Sequence, residues 1–457
     1  MITIMATSAA FAGKSKSSDW RDVPEYYAKY FKYNRYMEYD HNSTFLRRFR
    51  VPQHPSGKSN QQDTYVRWSD VKLKSDTPAD VRECWNIFVS GGECGKPVVT
   101  PLPEHYTAEG TLDVLAYSRY VSEENGLRVA RDVLVQELAK KDASQGALLE
   151  RILKTTSDIS YTYPDSFSTI PQQERKDIGV YLVLGIGGEK SANAALIQKA
   201  ADQIRHLGFQ AEMLKVDANL GSDYNSAMLN DMLSQRLPKL KKVILVAASK
   251  GVADFITFFL NQGQNFPQEQ RDKVRLMVSL SGVIRPSMVA DFLTNSNRPL
   301  PLMIRGLLHL TGKGDTIKGV GSLSHNPWQG HDPKMVKQSF SRMKWLSLPA
   351  IPEGPEGVTH LSMWEGFLKT PSYRWNDKAS PMDGLVESAA SVLPPDTGLT
   401  EYIVPVYGPH AIALGSYTGS LRVAPEAMGD VTDRVVPEAG AEMLSALFRA
   451  LPIELIQ

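Results

Sequence analysis

Three residues of this sequence have the chemistry to cleave an acyl bond together: Ser249, Asp383 and His410. A serine hydroxyl is a weak nucleophile at neutral pH, so it needs a histidine to take its proton and a carboxylate to orient that histidine. The three residues are far apart along the chain, so only a folded scaffold can bring them together. The elements around each residue therefore decide whether the chemistry is available.

Ser249 lies at a corner between a strand pattern and a helix pattern. Residues 243–246 are Val-Ile-Leu-Val, which is typical of a strand buried on both faces of a parallel sheet. Lys250 and Gly251 follow the serine, and an apolar helical pattern begins at once. The apolar positions of that helix are Val252, Phe255, Ile256, Phe259 and Leu260. This corner predicts a nucleophile at Ser249; the alternative is a serine that only caps the first helical turn.

His410 is the histidine best placed to serve Ser249. The histidines that follow Ser249 are His309, His325, His331, His360 and His410. Only His410 comes directly after a strand-like run, residues 402–407. Asp383 lies earlier, in an Asp-Gly turn that we expect to open into an apolar helix over 382–390 and to place its carboxylate at the sheet edge. Asp377 is the second choice for the acid.

The chain from residue 179 alternates between strand and helix patterns joined by short loops. The predicted strands are 179–184, 211–216, 243–246, 274–280 and 345–351, and the predicted helices between them include 189–207 and 222–237. This order predicts an α/β fold with a doubly wound, mostly parallel sheet. Ligands bind at the carboxyl ends of the strands in such sheets, which is where Ser249 lies.

The remaining segments suggest how the chain is divided. We expect residues 1–20 to be the remnant of an export signal or a disordered terminus, because they are small and apolar with an Ala-Phe-Ala site but no preceding basic residue. Residues 21–175 form an N-terminal extension with early strands and helices, and 176–457 form the core. Residues 288–343 break the alternation, which predicts an inserted lid over the site.

The core resembles an α/β-hydrolase of the bacterial lipase and esterase kind. The matching pieces are Ala247-Ala248-Ser249-Lys250-Gly251, Asp383-Gly384-Leu385-Val386 and Gly408-Pro409-His410, in the family's order of serine, acid and histidine. The resemblance implies a serine hydrolase that cleaves an acyl ester through a covalent acyl-enzyme. It also implies that the backbone N–H groups of Lys250 and Ile186 form the oxyanion hole.

Two departures from the family pattern bear on that resemblance. Ala247 stands where the family's turn usually has its first glycine, but alanine is nearly as small. The loop 185–188 lacks the family's common His-Gly pair, so the second oxyanion donor is less well defined than the first.

Asp433 opens an acid-like stretch similar to that of Asp383, yet no histidine follows it in this sequence.

Two other functional classes compete with hydrolysis. The scaffold could be a catalytically inactive hydrolase fold that binds a partner. Alternatively, the protein could bind a nucleotide through the loop from Gly185 to Ser191, which resembles a phosphate loop. However, Glu189 stands where that motif requires glycine, and its carboxylate would repel phosphate. Residues 325–332 hold two histidines and an aspartate, which is a weak metal signal. We therefore predict neither a cofactor nor a metal.

Composition limits the partners. The 457-residue chain is 42% hydrophobic with a net charge of +1, which argues against nucleic-acid binding. No apolar run approaches the roughly 20 residues that a membrane-spanning helix needs.

We expect a small-molecule or lipid-like ester as substrate and a solvated Lys250 side chain. Cys84 and Cys94 could form a disulfide, and the oligomeric state is not indicated.

The order of residues along the chain favours Asp383 over Asp433 as the acid and yields a direct test. Replacing Asp383 with asparagine should lower esterase turnover by up to about 10⁴-fold, the loss seen in a serine protease that lacks its aspartate. Asp433→Asn is the matched control and should retain turnover. Esterase kinetics on both purified variants measure the difference, and a large loss confined to the Asp433 variant would contradict the assignment.

Overall fold

A computed structural model describes most of the core and parts of the N-terminal region. The described residues are 107–108, 111–125, 130, 133–134, 137–138, 140–144, 147–148, 170–186, 192–263, 266–297, 299–310, 312, 314–351, 380–383, 385–407, 410, 444 and 447–457. Residues 64–74 and 86–89, whose patterns predict the early strands of the N-terminal extension, lie outside the described residues. Cys84, Cys94, Asp377, Asp433 and residues 1–20 lie outside them as well.

The described elements are short strands and helices, and they alternate strictly only from residue 178 to residue 257. The first half contains β1 (Thr107–Ala108), β2 (Thr111–Leu112), α1 (Val114–Asn125), α2 (Gln172–Arg175), β3 (Ile178–Val183), α3 (Ala192–His206), β4 (Gln210–Met213), α4 (Ser222–Arg236), β5 (Lys242–Ala248) and α5 (Lys250–Thr257). The second half contains α6 (Gln268–Arg271), β6 (Val274–Leu280), α7 (Met288–Asn295), α8 (Pro299–Leu310), α9 (Gly314–Gly321), α10 (Pro333–Ser339), β7 (Lys344–Leu348), β8 (Ala350–Ile351), β9 (Glu401–Ile403) and β10 (Val406–Tyr407).

Within the described ranges, six strands form the central sheet in the order β4-β3-β5-β6-β7-β9, and every neighbouring pair is parallel. The prediction of a parallel α/β sheet is therefore confirmed. β8 and β10 form a separate parallel pair directly after β7 and β9. Pro349 and Pro405 lie in the two breaks, and proline has no N–H to donate to the ladder. The predicted continuous strands over 345–351 and 402–407 are therefore each divided in two.

Helices cover both faces of the sheet because successive strand residues point to opposite sides. Ile244, Val246 and Ala248 of β5 pack on one face with apolar residues of α3, with Leu444 and with apolar residues of the segment 447–456. Val243, Leu245 and Ala247 pack on the other face with apolar residues of α4 and α5. The short apolar run before Ser249 is thus buried on both sides, as its composition predicts.

One predicted helix is wrong. Residues 382–390 do not form an α-helix: Met382 pairs with Glu387 in an isolated bridge, and a 3₁₀ turn follows over Ser388–Ser391. The physical reason lies in Asp383, whose Oδ1 accepts the N–H groups of Leu385 and Val386. That local bonding gives the backbone an alternative to a helix.

The predicted insertion between β6 and β7 consists of helices. α7 to α10 and a 3₁₀ turn, Ser322–Ser324, occupy the interval. Ala290 and Leu323 of this segment share an apolar cluster with Ala253 of α5 and with Val386, and partly buried Ile186 packs against the same cluster. The segment therefore contacts the end of the sheet at which Ser249 lies.

Part of the N-terminal region packs into the same body. Val114 and Leu115 of α1 contribute to the apolar cluster that also contains Ala253 and Val386. At the sheet edge, the N–H of Ala143 donates to the carbonyl of Glu401, and the N–H of Ile403 donates to the Asp142 carboxylate. These bonds cover the free edge of β9, which would otherwise present unpaired backbone groups.

Gly251 allows α5 to approach β3, and its substitution tests that contact. A Cβ at this position would lie 2.9 Å from the carbonyl oxygen of Val183 and 3.0 Å from that of Leu184. Gly251→Ala should therefore lower the free energy of unfolding by about 1–3 kcal/mol, the usual cost of overpacking. Denaturant unfolding of the purified variant measures the change.

Gly306→Ala is the matched control in α8, because a Cβ there meets no atom within 4 Å. In a helix this change should be neutral or stabilise by up to about 1 kcal/mol. Equal destabilisation by both variants would show that close packing at Gly251 is not the cause.

Candidate active site

Ser249 occupies a strained turn between β5 and α5. Its φ of 53° and ψ of −124° lie outside the regions that residues with a Cβ favour. Such a conformation costs on the order of 1–3 kcal/mol and persists only where the surroundings hold it. Here the Ser249 N–H donates to the carbonyl of Leu280, and its carbonyl accepts from Val252 and Val283. Both backbone groups are satisfied, so the turn is fixed by β6 and α5 together.

Small residues surround this turn because there is no room for larger ones. A Cβ on Gly185 would lie 2.6 Å from the Cβ of Ser249 and 3.0 Å from its Oγ. The loop that follows β3 therefore packs directly against the serine side chain. Ala247 and Ala248, the last residues of β5, are buried. The side chains are therefore small where the loop after β3, the end of β5 and the start of α5 meet.

The structure brings Ser249, His410 and Asp383 together in one hydrogen-bonded row. Ser249 Oγ lies 2.8 Å from His410 Nε2, and His410 Nδ1 lies 2.7 Å from Asp383 Oδ2. An ionised carboxylate can only accept, so Nδ1 carries the proton in this arrangement. In the neutral imidazole, Nε2 is then the acceptor for the serine hydroxyl. The Ser249 side chain bonds His410 and makes no helix-capping bond within the described residues.

Asp383 is held by its own loop. Its Oδ1 accepts the N–H groups of Leu385 at 3.0 Å and Val386 at 2.8 Å, which leaves Oδ2 for His410. Its carbonyl accepts the N–H of His410 at 3.0 Å, so backbone and side chain bind the same residue. Asp383 and His410 are 0% and 1% exposed, whereas Ser249 is 8% exposed. The serine is thus the most accessible member of the row.

The two expected oxyanion donors come from the residue after Ser249 and from the loop that packs against it. Lys250 is the first residue of α5, where the N–H has no partner within the helix. Ile186 is partly buried, and it directly follows Gly185, which packs against Ser249. Residues 187–191, which complete the phosphate-loop candidate, lie outside the described residues. The positions of Lys250 and Ile186 are compatible with a donor pair at the serine.

The expectation that the Lys250 side chain is solvated is wrong. Lys250 is 0% exposed, and its Nζ lies 2.7 Å and 2.9 Å from the two carboxylate oxygens of Asp254. Asn225 of α4 donates to Asp254 Oδ2 at 2.8 Å. The i,i+4 spacing puts both charges on one helix face, and burying a charge requires such a partner. Asp254 therefore joins α5 to α4 through Asn225, and Lys250, which is bound to Asp254, is not available to attract a substrate.

Two further ion pairs adjoin the loop that carries Asp383, and nothing in the local sequence identified them. Arg119 of α1 donates through Nε to Glu387 Oε1 at 2.9 Å and through Nη2 to Oε2. Arg285 binds both oxygens of Asp113, at 2.6 Å and 2.8 Å. Each pair joins residues far apart along the chain, so no spacing rule links them. Only the three-dimensional packing of α1 reveals them.

The charges in these pairs are mutually stabilised. Burial alone would lower the pKa of Arg119, but the hydrogen bond and charge of Glu387 raise it above its ordinary value. Burial alone would raise the pKa of Asp113, but Arg285 and the N–H groups of Ala116 and Leu115 hold it below its ordinary value. Both groups therefore stay charged at neutral pH.

Other candidate sites are used structurally. In the loop 325–332, Asp332 caps α10 by accepting the N–H of Lys334, and His325 Nδ1 lies 3.1 Å from the carbonyl oxygen of Gly321. Across the described part of the chain, no group of three or more histidine, cysteine or acidic residues is arranged to hold a metal ion. No helix in those same ranges has the length and apolar content to cross a membrane.

Comparison with known proteins yields partial structural likenesses. The sequence matches no protein-family model and no curated protein. A metagenomic carboxyl esterase overlaps 60% of this chain and 75% of its own, at 16% identity and a TM-score of 0.40. The mature form of a Bacillus licheniformis lipase overlaps 55% and 90%, at 18% identity and a TM-score of 0.37. A Legionella pneumophila phospholipase overlaps 47% and 45%, at 12% identity and a TM-score of 0.30. Likenesses of this extent do not assign the chain to a family.

Proposed function

We propose that this protein is a serine hydrolase of the α/β-hydrolase fold that cleaves an acyl ester. The observation that carries the proposal is the row of hydrogen bonds from Ser249 Oγ through His410 to Asp383. A strained serine turn at the carboxyl end of a central parallel strand supports it, because such a turn presents the hydroxyl above the sheet. The sequence order of serine, acid and histidine agrees with that chemistry.

In the proposed first half-reaction, Ser249 Oγ attacks the carbonyl carbon of the ester while His410 Nε2 takes the hydroxyl proton. Asp383 holds the imidazole in the required tautomer and stabilises the imidazolium that forms. The tetrahedral intermediate then collapses, the bond to the alcohol oxygen breaks, and His410 returns the proton to the departing alcohol. The acyl group remains on Ser249.

The second half-reaction uses the same residues with water as the nucleophile. His410 takes a proton from water as the water oxygen attacks the acyl carbon. When the intermediate collapses, the proton goes to Ser249 Oγ and the carboxylic acid is released. In both steps the N–H groups of Lys250 and Ile186 would bind the developing oxyanion. Losing one such donor typically costs about 2.7–4 kcal/mol of transition-state stabilisation.

The segment 288–343 is proposed to act as a lid in this reaction. Its residues Ala290 and Leu323 belong to the apolar cluster against which Ile186, one of the two proposed oxyanion donors, packs. An apolar cover next to the serine favours an acyl substrate. Acyl chains are apolar, so the lining fits a lipid-like ester better than a charged substrate.

Covalent labelling tests the proposal and separates it from an inactive binding protein. A fluorophosphonate should label the wild-type protein at Ser249, because only an activated serine reacts readily. Ser249→Ala should lose both the label and esterase activity while keeping its unfolding midpoint. Peptide mass mapping identifies the labelled residue.

Ser281→Ala is the matched control. Ser281 is the other non-glycine residue with positive φ in the described residues, at 41°, and it follows the neighbouring strand β6. It should retain labelling and activity, because it is not a member of the hydrogen-bonded row from Ser249 to Asp383. An unlabelled wild-type protein, or a label that persists in the Ser249 variant, would overturn the proposal.

A further inference from the structure

Arg119 and Glu387 form an ion pair between the N-terminal helix α1 and the loop that carries Asp383. The guanidinium binds both carboxylate oxygens, an arrangement that fixes orientation as well as distance. The Glu387 side chain is 0% exposed and that of Arg119 is 34% exposed. A carboxylate buried to this degree requires its charged partner.

Glu387 closes the short loop in which Asp383 lies. Its backbone pairs with Met382 in the isolated bridge, and the N–H of Asp383 donates to the carbonyl of Val386 at 3.0 Å. The Glu387 Oε1 also accepts the N–H and the hydroxyl of Ser380, at 3.1 Å and 2.9 Å. The carboxylate thus ties the start of the loop to its end, with Asp383 in between.

α1 itself is anchored against the same loop. Asp113, at the start of the helix, binds Arg285, whose N–H donates to the carbonyl of Ala390 at 3.1 Å. Val114 and Leu115 share an apolar cluster with Val386, Ala389, Ala390 and Val392. Arg119 is therefore presented to Glu387 from a fixed helix, and a movement of the loop would break several contacts together.

We infer that Arg119 is a positioning residue for the proposed reaction: through Glu387 it holds the loop of Asp383 so that the carboxylate stays within hydrogen-bond reach of His410. The inference rests on the proposed hydrolase function for its effect on turnover, but its structural part stands on the described contacts. It makes α1 a component of the active site, although α1 contributes no reacting group.

The physical consequence of losing Arg119 is an unpaired buried carboxylate. Glu387 must then take up a proton or move toward water, since an isolated buried charge is strongly unfavourable. Either response weakens its bonds to Ser380 and loosens the loop. Displacing a catalytic group by about 1 Å can cost about 10²-fold in rate. We expect turnover to fall while substrate binding changes little, because Arg119 binds Glu387 and affects Ser249 only indirectly, through the loop of Asp383.

The test uses the full chain with Arg119→Met, Arg119→Lys and a matched control, Arg236→Met. Arg236 of α4 also binds both carboxylate oxygens of a glutamate, Glu212 of β4, and lies outside the proposed active site. The measurements are kcat and KM on a p-nitrophenyl ester, the denaturation midpoint, and the downfield proton resonance of His410 Nδ1. Disappearance of that resonance in Asp383→Asn assigns it.

Arg119→Met should lower kcat about 10²-fold with little change in KM, and it should shift or broaden the His410 resonance. Arg119→Lys keeps the positive charge but loses the planar guanidinium that binds both carboxylate oxygens. It should recover part of the lost kcat and part of the wild-type His410 resonance. Arg236→Met should keep kcat and the resonance.

A wild-type kcat and resonance in Arg119→Met would overturn the inference, as would equal losses in both methionine variants at equal loss of stability. An inactive and unlabelled wild-type protein whose His410 resonance still depends on Arg119 would refute the hydrolase function and support the positioning role.

Discussion

The strained backbone at Ser249 is the constraint on which the site depends. A positive φ at a residue with a Cβ is unfavourable, so the turn exists only because neighbouring elements hold it. The carbonyl of Leu280 binds the serine N–H, and Gly185 and Gly251 let the loop after β3 and the start of α5 pack tightly around it. The parallel sheet thus both forces Ser249 into its strained backbone conformation and provides the contacts that hold it there.

The partners of Ser249 come from loops, and loops need separate support. His410 and Asp383 are bound to each other through backbone and side chain, while Glu387, Arg119 and α1 brace the loop of Asp383 from outside the sheet. The buried Lys250–Asp254 pair supports the serine side by joining α5 to α4 through Asn225. Buried charged pairs thus lie behind both sides of the row formed by Ser249, His410 and Asp383.

Sequence patterns predicted those parts of the molecule that arise from local chemistry. The β-branched run before Ser249 and the alternation after residue 179 predicted the parallel sheet, because buried strands and helices have distinct periods. The same patterns misjudged residues 382–390, where the Asp383 side chain competes with helix formation, and Lys250, whose partner Asp254 lies one turn ahead. The Arg119–Glu387 pair spans 268 positions and is visible only after folding. Loop type and chain order point to Asp383 and His410, and these two residues lie in one hydrogen-bonded row with Ser249.

The central claim is that Ser249 carries the acyl group during turnover. The most direct measurement is rapid mixing of the wild-type protein with a p-nitrophenyl carbamate, whose carbamoyl adduct hydrolyses slowly, followed by acid quenching and peptide mass mapping. The account predicts release of p-nitrophenol together with one carbamoyl group per protein, found on the peptide that contains Ser249. Carbamoylation of a different residue, or ester turnover with no adduct at Ser249, would contradict it.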